Sequence, residues 1–170
     1  MGSYTVILDA CVMYPAPLRS YLIYLSCTGL YRARWTKQIH DEWMRNVLKN
    51  NPDIDVKKLK RAKQLMDKSV PDCLIEDYES LIAGIELPDM DDRHVVAAAV
   101  KGQAESIITF NLKDFPNDML KAMDLNAIHP DEFLCDMFEL NSGACVKAAQ
   151  MQRRSLRNPP MTVNEYLACL

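Results

Sequence analysis

Tyr4-Thr5-Val6-Ile7-Leu8-Asp9, an apolar run of β-formers that closes on a carboxylate, decides how the chain is read. The run predicts a strand over 4–9, and its near-continuous apolar character marks a strand covered on both faces, as in a parallel sheet. Asp9 then lies at the carboxyl end of that strand, where open parallel sheets carry their sites. Downstream, Pro15 and Pro17 at the entry and Gly29 at the exit bracket a helix over 18–27. Leu30 to Trp35 alternates as a second strand, and Thr36 can cap a helix that runs to Asn50 and stops at Asn51-Pro52. The opening is β-α-β-α.

The same alternation continues. A basic helix is predicted near 56–68, another helix over 77–85, a turn over Pro88-Asp89-Met90-Asp91-Asp92, and a helix over 92–102 whose Val95-Val-Ala-Ala-Ala-Val100 core is small enough to pack close to a sheet. Strands follow over 105–110 and 126–129, with a short helix to Met123 between them. The remainder is helical: Pro130 opens one helix, Asn141-Ser-Gly143 separates a second, Asn158-Pro-Pro160 ends it, and Thr162-Val-Asn-Glu165 fits a capping box for a third. The reading is α/β, with a central parallel sheet, a domain over 1–130 and a helical extension over 131–170 packed on it.

Composition narrows the function classes. With 170 residues, a net charge of −3 and no Gly/Ser/Pro-rich linker, the chain fits one domain that does not coat nucleic acid through bulk charge. Its apolar runs are too short to span a bilayer and its N-terminus lacks a basic-then-apolar leader, so a cytoplasmic protein is expected. Six dispersed cysteines without a C-x-x-C pair support neither a disulfide framework nor a zinc knuckle. The histidines lack the i, i+4 spacing of a helical zinc motif. A serine-hydrolase motif and a Gly-rich phosphate loop are absent.

What remains is carboxylates at element ends: Asp9, Asp41-Glu42, Asp89 to Asp92, and Asp114. Any one of them has an ordinary explanation as a turn or capping residue. Converging carboxylates repel and need a cation, a shared proton or wide separation. In the second helix the apolar stripe of Ile39, Trp43 and Val47 sets Glu42 near its margin, and including Met44 and Leu48 widens the face towards Asp41. Periodicity does not choose between the two.

Ile7-Leu-Asp-Ala-Cys-Val-Met-Tyr-Pro-Ala-Pro-Leu-Arg19, Leu87-Pro-Asp-Met-Asp-Asp-Arg-His-Val-Val-Ala-Ala-Ala99 and Ile107-Ile-Thr-Phe-Asn-Leu-Lys-Asp-Phe115 together resemble the PIN-domain ribonucleases, in particular their bacterial toxin-like (VapC-like) branch. The later helices, through Asn158-Pro-Pro-Met-Thr-Val163, resemble that branch's C-terminal extension. The resemblance implies a three-layer α/β/α fold and a metal-dependent endoribonuclease, the toxin of a type II toxin–antitoxin pair. Asp9, Glu42, Asp92 and Asp114 match the family's acids, with Asp9, Asp92 and Asp114 as ligands of Mg²⁺ or Mn²⁺. Thr109, Asn111 and Asp89 match supporting positions, and Arg19 and Arg93 are candidates for the RNA backbone. Cys11 departs from the pattern, standing where many relatives carry a polar residue such as asparagine. An RNA substrate, a small antitoxin protein and a homodimer are further implications. The alternatives are a DNA nuclease on the same fold and a non-catalytic nucleic-acid- or protein-binding domain.

Overall fold

Thr5–Leu8 (β1), Arg32–Arg34 (β2), Ser106–Ile108 (β3) and Asn126–Ile128 (β4) pair in parallel, in the spatial order β2-β1-β3-β4. The computed structural model describes residues 3–157 and 159–170, so Asn158, part of a predicted helix stop, lies outside the described residues. Every residue of β1 is buried, which is what a central strand covered on both faces requires. Ile7 pairs with Arg34 on one side and Ile107 on the other.

The strands are shorter than the apolar runs because side chains take over from the ladder at their ends. Asp9 N–H still donates to Ile108 O (3.1 Å), but the Asp9 carboxylate accepts from Ala10 N–H (2.8 Å) and opens a single helical turn, Ala10–Met13 (α1), which the sequence reading did not contain. Ala16–Cys27 (α2) starts two residues earlier than expected, with Pro17 in its first turn, where the missing N–H has no intrahelical partner to lose. Thr36 accepts from Ile39 N–H (3.1 Å) and caps Lys37–Asn50 (α3), and Val56–Ser69 (α4) follows as predicted. The helix expected over 77–85 is instead a 3₁₀ segment, Glu79–Gly84. Asp77 has φ +58°, a left-handed conformation that no α-helix accommodates, and none of the six 3₁₀ residues is buried.

Arg93–Lys101 (α5) lies against β1 and β3. Val95, Val96 and Ala97 to Ala99 have no exposed surface, and each buried valine contributes about 2 kcal/mol of transfer free energy. Asn117–Leu120 (α6) bridges to β4. Pro130–Leu140 (α7), Ser142–Ser155 (α8) and Val163–Cys169 (α9) complete the described helices. α8 packs along α2, fastened by Tyr21 OH to Cys145 O (3.1 Å) and Gln152 Nε2 to Pro17 O (2.8 Å), and Phe133 of α7 meets Tyr31 edge-on at 5.0 Å. The capping box of α9 is present, Thr162 and Glu165 each accepting from the other's backbone N–H. Among the described residues no helix is long and apolar enough to cross a membrane.

Candidate acidic active site

The strand order reverses direction at β1 and β3, since the chain leaves β1 for β2 on one side and returns to β3 on the other. A crevice opens beyond such a switch point. Asp9 follows β1 and Thr109 follows β3, so the ladder register sets them side by side, and Thr109 Oγ1 donates to Asp9 Oδ2 (2.8 Å). Thr109 Oγ1 also accepts from Asn111 N–H (3.0 Å), which fixes the direction of its own hydroxyl. The third neighbour of Asp9 is the Cys11 thiol, which donates to Oδ2 (3.4 Å) and accepts from Phe110 N–H (3.3 Å). Burial, then the Asp9 charge, pushes that thiol up to about 12, so Cys11 stays protonated and acts as a weak polar prop.

Asp9 is buried, and its carboxyl stands above the usual carboxylate range because burial and the Glu42 charge outweigh the hydrogen bonds from Thr109, Ala10 and Cys11. Asp92 is half-buried and is pushed up to about 6, first by burial and then by the charges of Asp9, Asp89, Asp114 and Glu42. Five acids from four separate segments are thus within electrostatic reach of one another. They are not drawn into a tight ligand shell: among the described residues no three His, Cys, Asp or Glu side chains come within metal-holding distance.

Local structure explains each position. Asp89 caps the 3₁₀ turn Met90–Asp92, accepting from Asp91 N–H (2.9 Å), and that turn delivers Asp92 to the first residue of α5. Asp114 ends a second 3₁₀ turn, Leu112–Asp114, and is half-buried, while Asn111 is exposed and contributes its backbone N–H. The choice left open in α3 is resolved: Asp41 is exposed and pairs with Lys37 (2.8 Å), whereas Glu42 turns inward. Its Oε1 lies 2.8 Å from His94 Nε2 of α5.

His94 is the residue the sequence reading missed. It is buried, and the approach to Glu42 is off the ring N–H direction, so neither ring nitrogen makes an aligned hydrogen bond. The only sequence signal was a polar residue within an otherwise apolar helix face. The arginines, by contrast, are engaged inside the fold. Arg19 Nη1 donates to Met13 O (2.7 Å) and Tyr14 O (3.3 Å), its guanidinium lies 4.3 Å over the Trp43 ring, and burial pushes it down to about 10. Arg93 Nε donates to Met90 O (3.0 Å). A cavity of about 580 Å³ lies away from the acids, between α2, α4, α8 and α9, with Ile23, Leu65, Met66 and Tyr166 in its walls.

Residues 130–170 match the model of the VapC50 C-terminal domain. Among curated proteins, "Putative ribonuclease VapC50" of Mycobacterium tuberculosis is 41% identical over 93 residues, 55% of this chain and 54% of that protein. The chain therefore spans about half the length of the curated relative it matches. No solved structure matches it. The PIN domain model matches residues 5–113, which run from β1 past β3 and stop one residue short of Asp114, and with the parallel sheet and its switch-point acids this establishes that the chain belongs to the PIN-domain family.

Proposed function

We propose that the chain is a divalent-metal-dependent endoribonuclease and the toxin of a bacterial type II toxin–antitoxin pair. The observation that carries this reading is Asp92, half-buried at the switch point of a PIN sheet and pushed up to about 6 by burial and by four neighbouring acids. Such unrelieved repulsion costs stability and is typical of sites that await a cation. The name of the mycobacterial relative and the match to its C-terminal domain support RNA as the substrate and a toxin role. A homodimer silenced by a small antitoxin in the cytoplasm completes the proposal.

The donor set fits Mg²⁺ or Mn²⁺ better than zinc, because it offers carboxylate oxygens and a cysteine that stays a thiol. Asp9, Asp92 and Asp114 would hold the ion. When bound, it supplies Lewis acidity, lowering the pKa of a water and offsetting charge on the phosphodiester oxygens. The chain's own residues prepare the rest. Thr109 and Ala10 N–H fix both oxygens of Asp9, Asp89 holds the turn that presents Asp92, and Glu42 accepts the proton of the attacking water. His94, packed against Glu42, limits the swing of that carboxylate.

The test is cleavage of end-labelled single-stranded RNA by purified chain, with labelled DNA of the same sequence beside it. Internal RNA cuts are expected with Mg²⁺ or Mn²⁺, none with chelator, and none with folded Asp9→Asn. Full cleavage by folded Asp9→Asn, or cleavage of DNA alone, would overturn the reading. Induction of the intact chain should arrest bacterial growth and Asp9→Asn should not; an antitoxin arginine, forking onto a carboxylate, suits the crevice.

A further inference from the structure

An enzyme that repels phosphates at its centre must hold RNA by something else. The two arginines that the sequence offered for the RNA backbone donate to backbone carbonyls of the fold, Arg19 to Met13 and Tyr14 and Arg93 to Met90. Beside the exposed polar residues Asn111 and Lys113, the turns that carry the acids offer large apolar side chains to solvent. Met90, in the turn that carries Asp92, is 63% exposed; Leu112, in the turn that ends on Asp114, is 39% exposed; and Phe110, next to Thr109, is 41% exposed. Large apolar side chains set singly on a surface need no explanation, but these three stand within two residues of Asp92, Asp114 and Thr109 in the sequence, on the turns that carry the site.

Phe110 is the best defined of them. Its N–H bonds the Cys11 thiol, which itself bonds Asp9 Oδ2, so its backbone is two hydrogen-bonded contacts from the buried acid. Its ring meets the His129 ring at 5.2 Å and 77°, an edge-on arrangement that fixes one aromatic plane by another. His129 is fixed in turn: its Nδ1 accepts from Asp131 N–H (3.1 Å) as it caps α7, so the neutral ring carries its proton on Nε2.

We infer that Phe110, steadied by His129, is a stacking platform for an unpaired nucleobase beside the bond that the acids cut. The inference rests on the ribonuclease reading and adds what that reading lacks, a source of affinity and a reason to prefer single strands. Bases in a duplex are already stacked and paired, so they have no free face to offer a protein ring, whereas unpaired bases stack readily on aromatic side chains.

The test is binding of a fluorescent 12-nucleotide single-stranded RNA, and of the same strand annealed to its complement, to chains carrying Asp9→Asn so that the probe survives. Adding Phe110→Leu, which keeps bulk and loses the π face, should weaken single-strand binding about 5- to 150-fold and leave duplex binding unchanged. Adding Phe110→Tyr instead should keep the binding of the chain that carries Asp9→Asn alone. Unchanged single-strand binding by folded Phe110→Leu, an equal loss on the duplex, or a loss with Phe110→Tyr as large as with Phe110→Leu would overturn the platform. Cleavage by the parent chain is scored separately: a chain that binds single strands through Phe110 and cuts nothing defeats the nuclease reading alone.

Discussion

Two carboxylates of the fold are treated in opposite ways. Asp67 of α4 is surrounded by donors: Trp35 Nε1 (2.9 Å) and His40 Nε2 (2.7 Å) on one oxygen, Lys63 Nζ (3.2 Å) on the other. Trp43 Nε1 donates to His40 Nδ1 (3.0 Å), which leaves the His40 proton on Nε2 for Asp67. Burial alone would lift Asp67, but the hydrogen bonds from His40, Trp35 and Lys63 bring its carboxyl below the usual range. Burial likewise pushes His40 down, consistent with a neutral ring that donates. Asp92 has other acids for neighbours and is held up near 6. A fold that satisfies one carboxylate this completely has the means to satisfy another. Leaving the acids at the switch point in mutual repulsion is what the proposed metal site requires, and the Asp67 network is a satisfied part of the frame around it.

The comparison breaks first on activity. Asp9→Asn keeps the side-chain volume and removes one charge, and it should lower metal-dependent RNA cleavage on the order of 10³-fold, about 4 kcal/mol of transition-state stabilisation. Single-turnover rates against the wild type check this, with near-unchanged unfolding midpoints as the control. Asp67→Ala should do the reverse. It strands Trp35 Nε1 and His40 Nε2 and should cost about 3 kcal/mol of stability in urea unfolding.

Arg19→Ala sharpens the boundary between the two regions. If Arg19 belongs to the frame, losing its two carbonyl contacts and its stack on Trp43 lowers stability by about 2 kcal/mol. A phosphate contact would instead appear as weaker RNA binding with a shallower salt dependence and unchanged stability.

The smallest expected effect is on pH. Between the ordinary carboxyl value of 3.8 and the folded value of about 6, native Asp92 binds more proton than the unfolded chain does. Metal-free stability should therefore fall as pH rises through that window, by about 1 kcal/mol once solvent screening of a half-exposed group is discounted. Asp92→Asn should remove its share of this slope and leave that of Asp9, whose carboxyl also stands above the usual range. Asp67, with its lowered value, acts in the other direction: its contribution is complete above the ordinary carboxyl value and is lost as pH falls through the folded one.

Much of this was legible in the chain. β1 announced itself through its run of apolar β-formers, Asp9 through its position after them, and the starts of α3 and α9 through Thr36 and Thr162. What was not legible depended on partners distant in sequence. Periodicity left Asp41 and Glu42 equivalent, because only the arrival of α5 shows which of them faces His94. Asp67 drew no attention within the basic helix over 56–68, since two of its three donors come from the end of β2 and from α3. The helix expected over 77–85 failed at Asp77, whose backbone is left-handed. Arginine positions were readable, but their engagement with carbonyls of the same chain was not.

The most direct test is a carboxyl ¹³C NMR titration of Asp92, with and without Mg²⁺. Without the ion, its midpoint should stand near 6, well above an ordinary aspartate. With the ion, it should fall below the usual carboxylate range, while the Asp67 midpoint should stay where it was. An Asp92 that titrates near 3.8 in metal-free protein, or one that Mg²⁺ does not move, would contradict the claim that these acids are held apart for a cation.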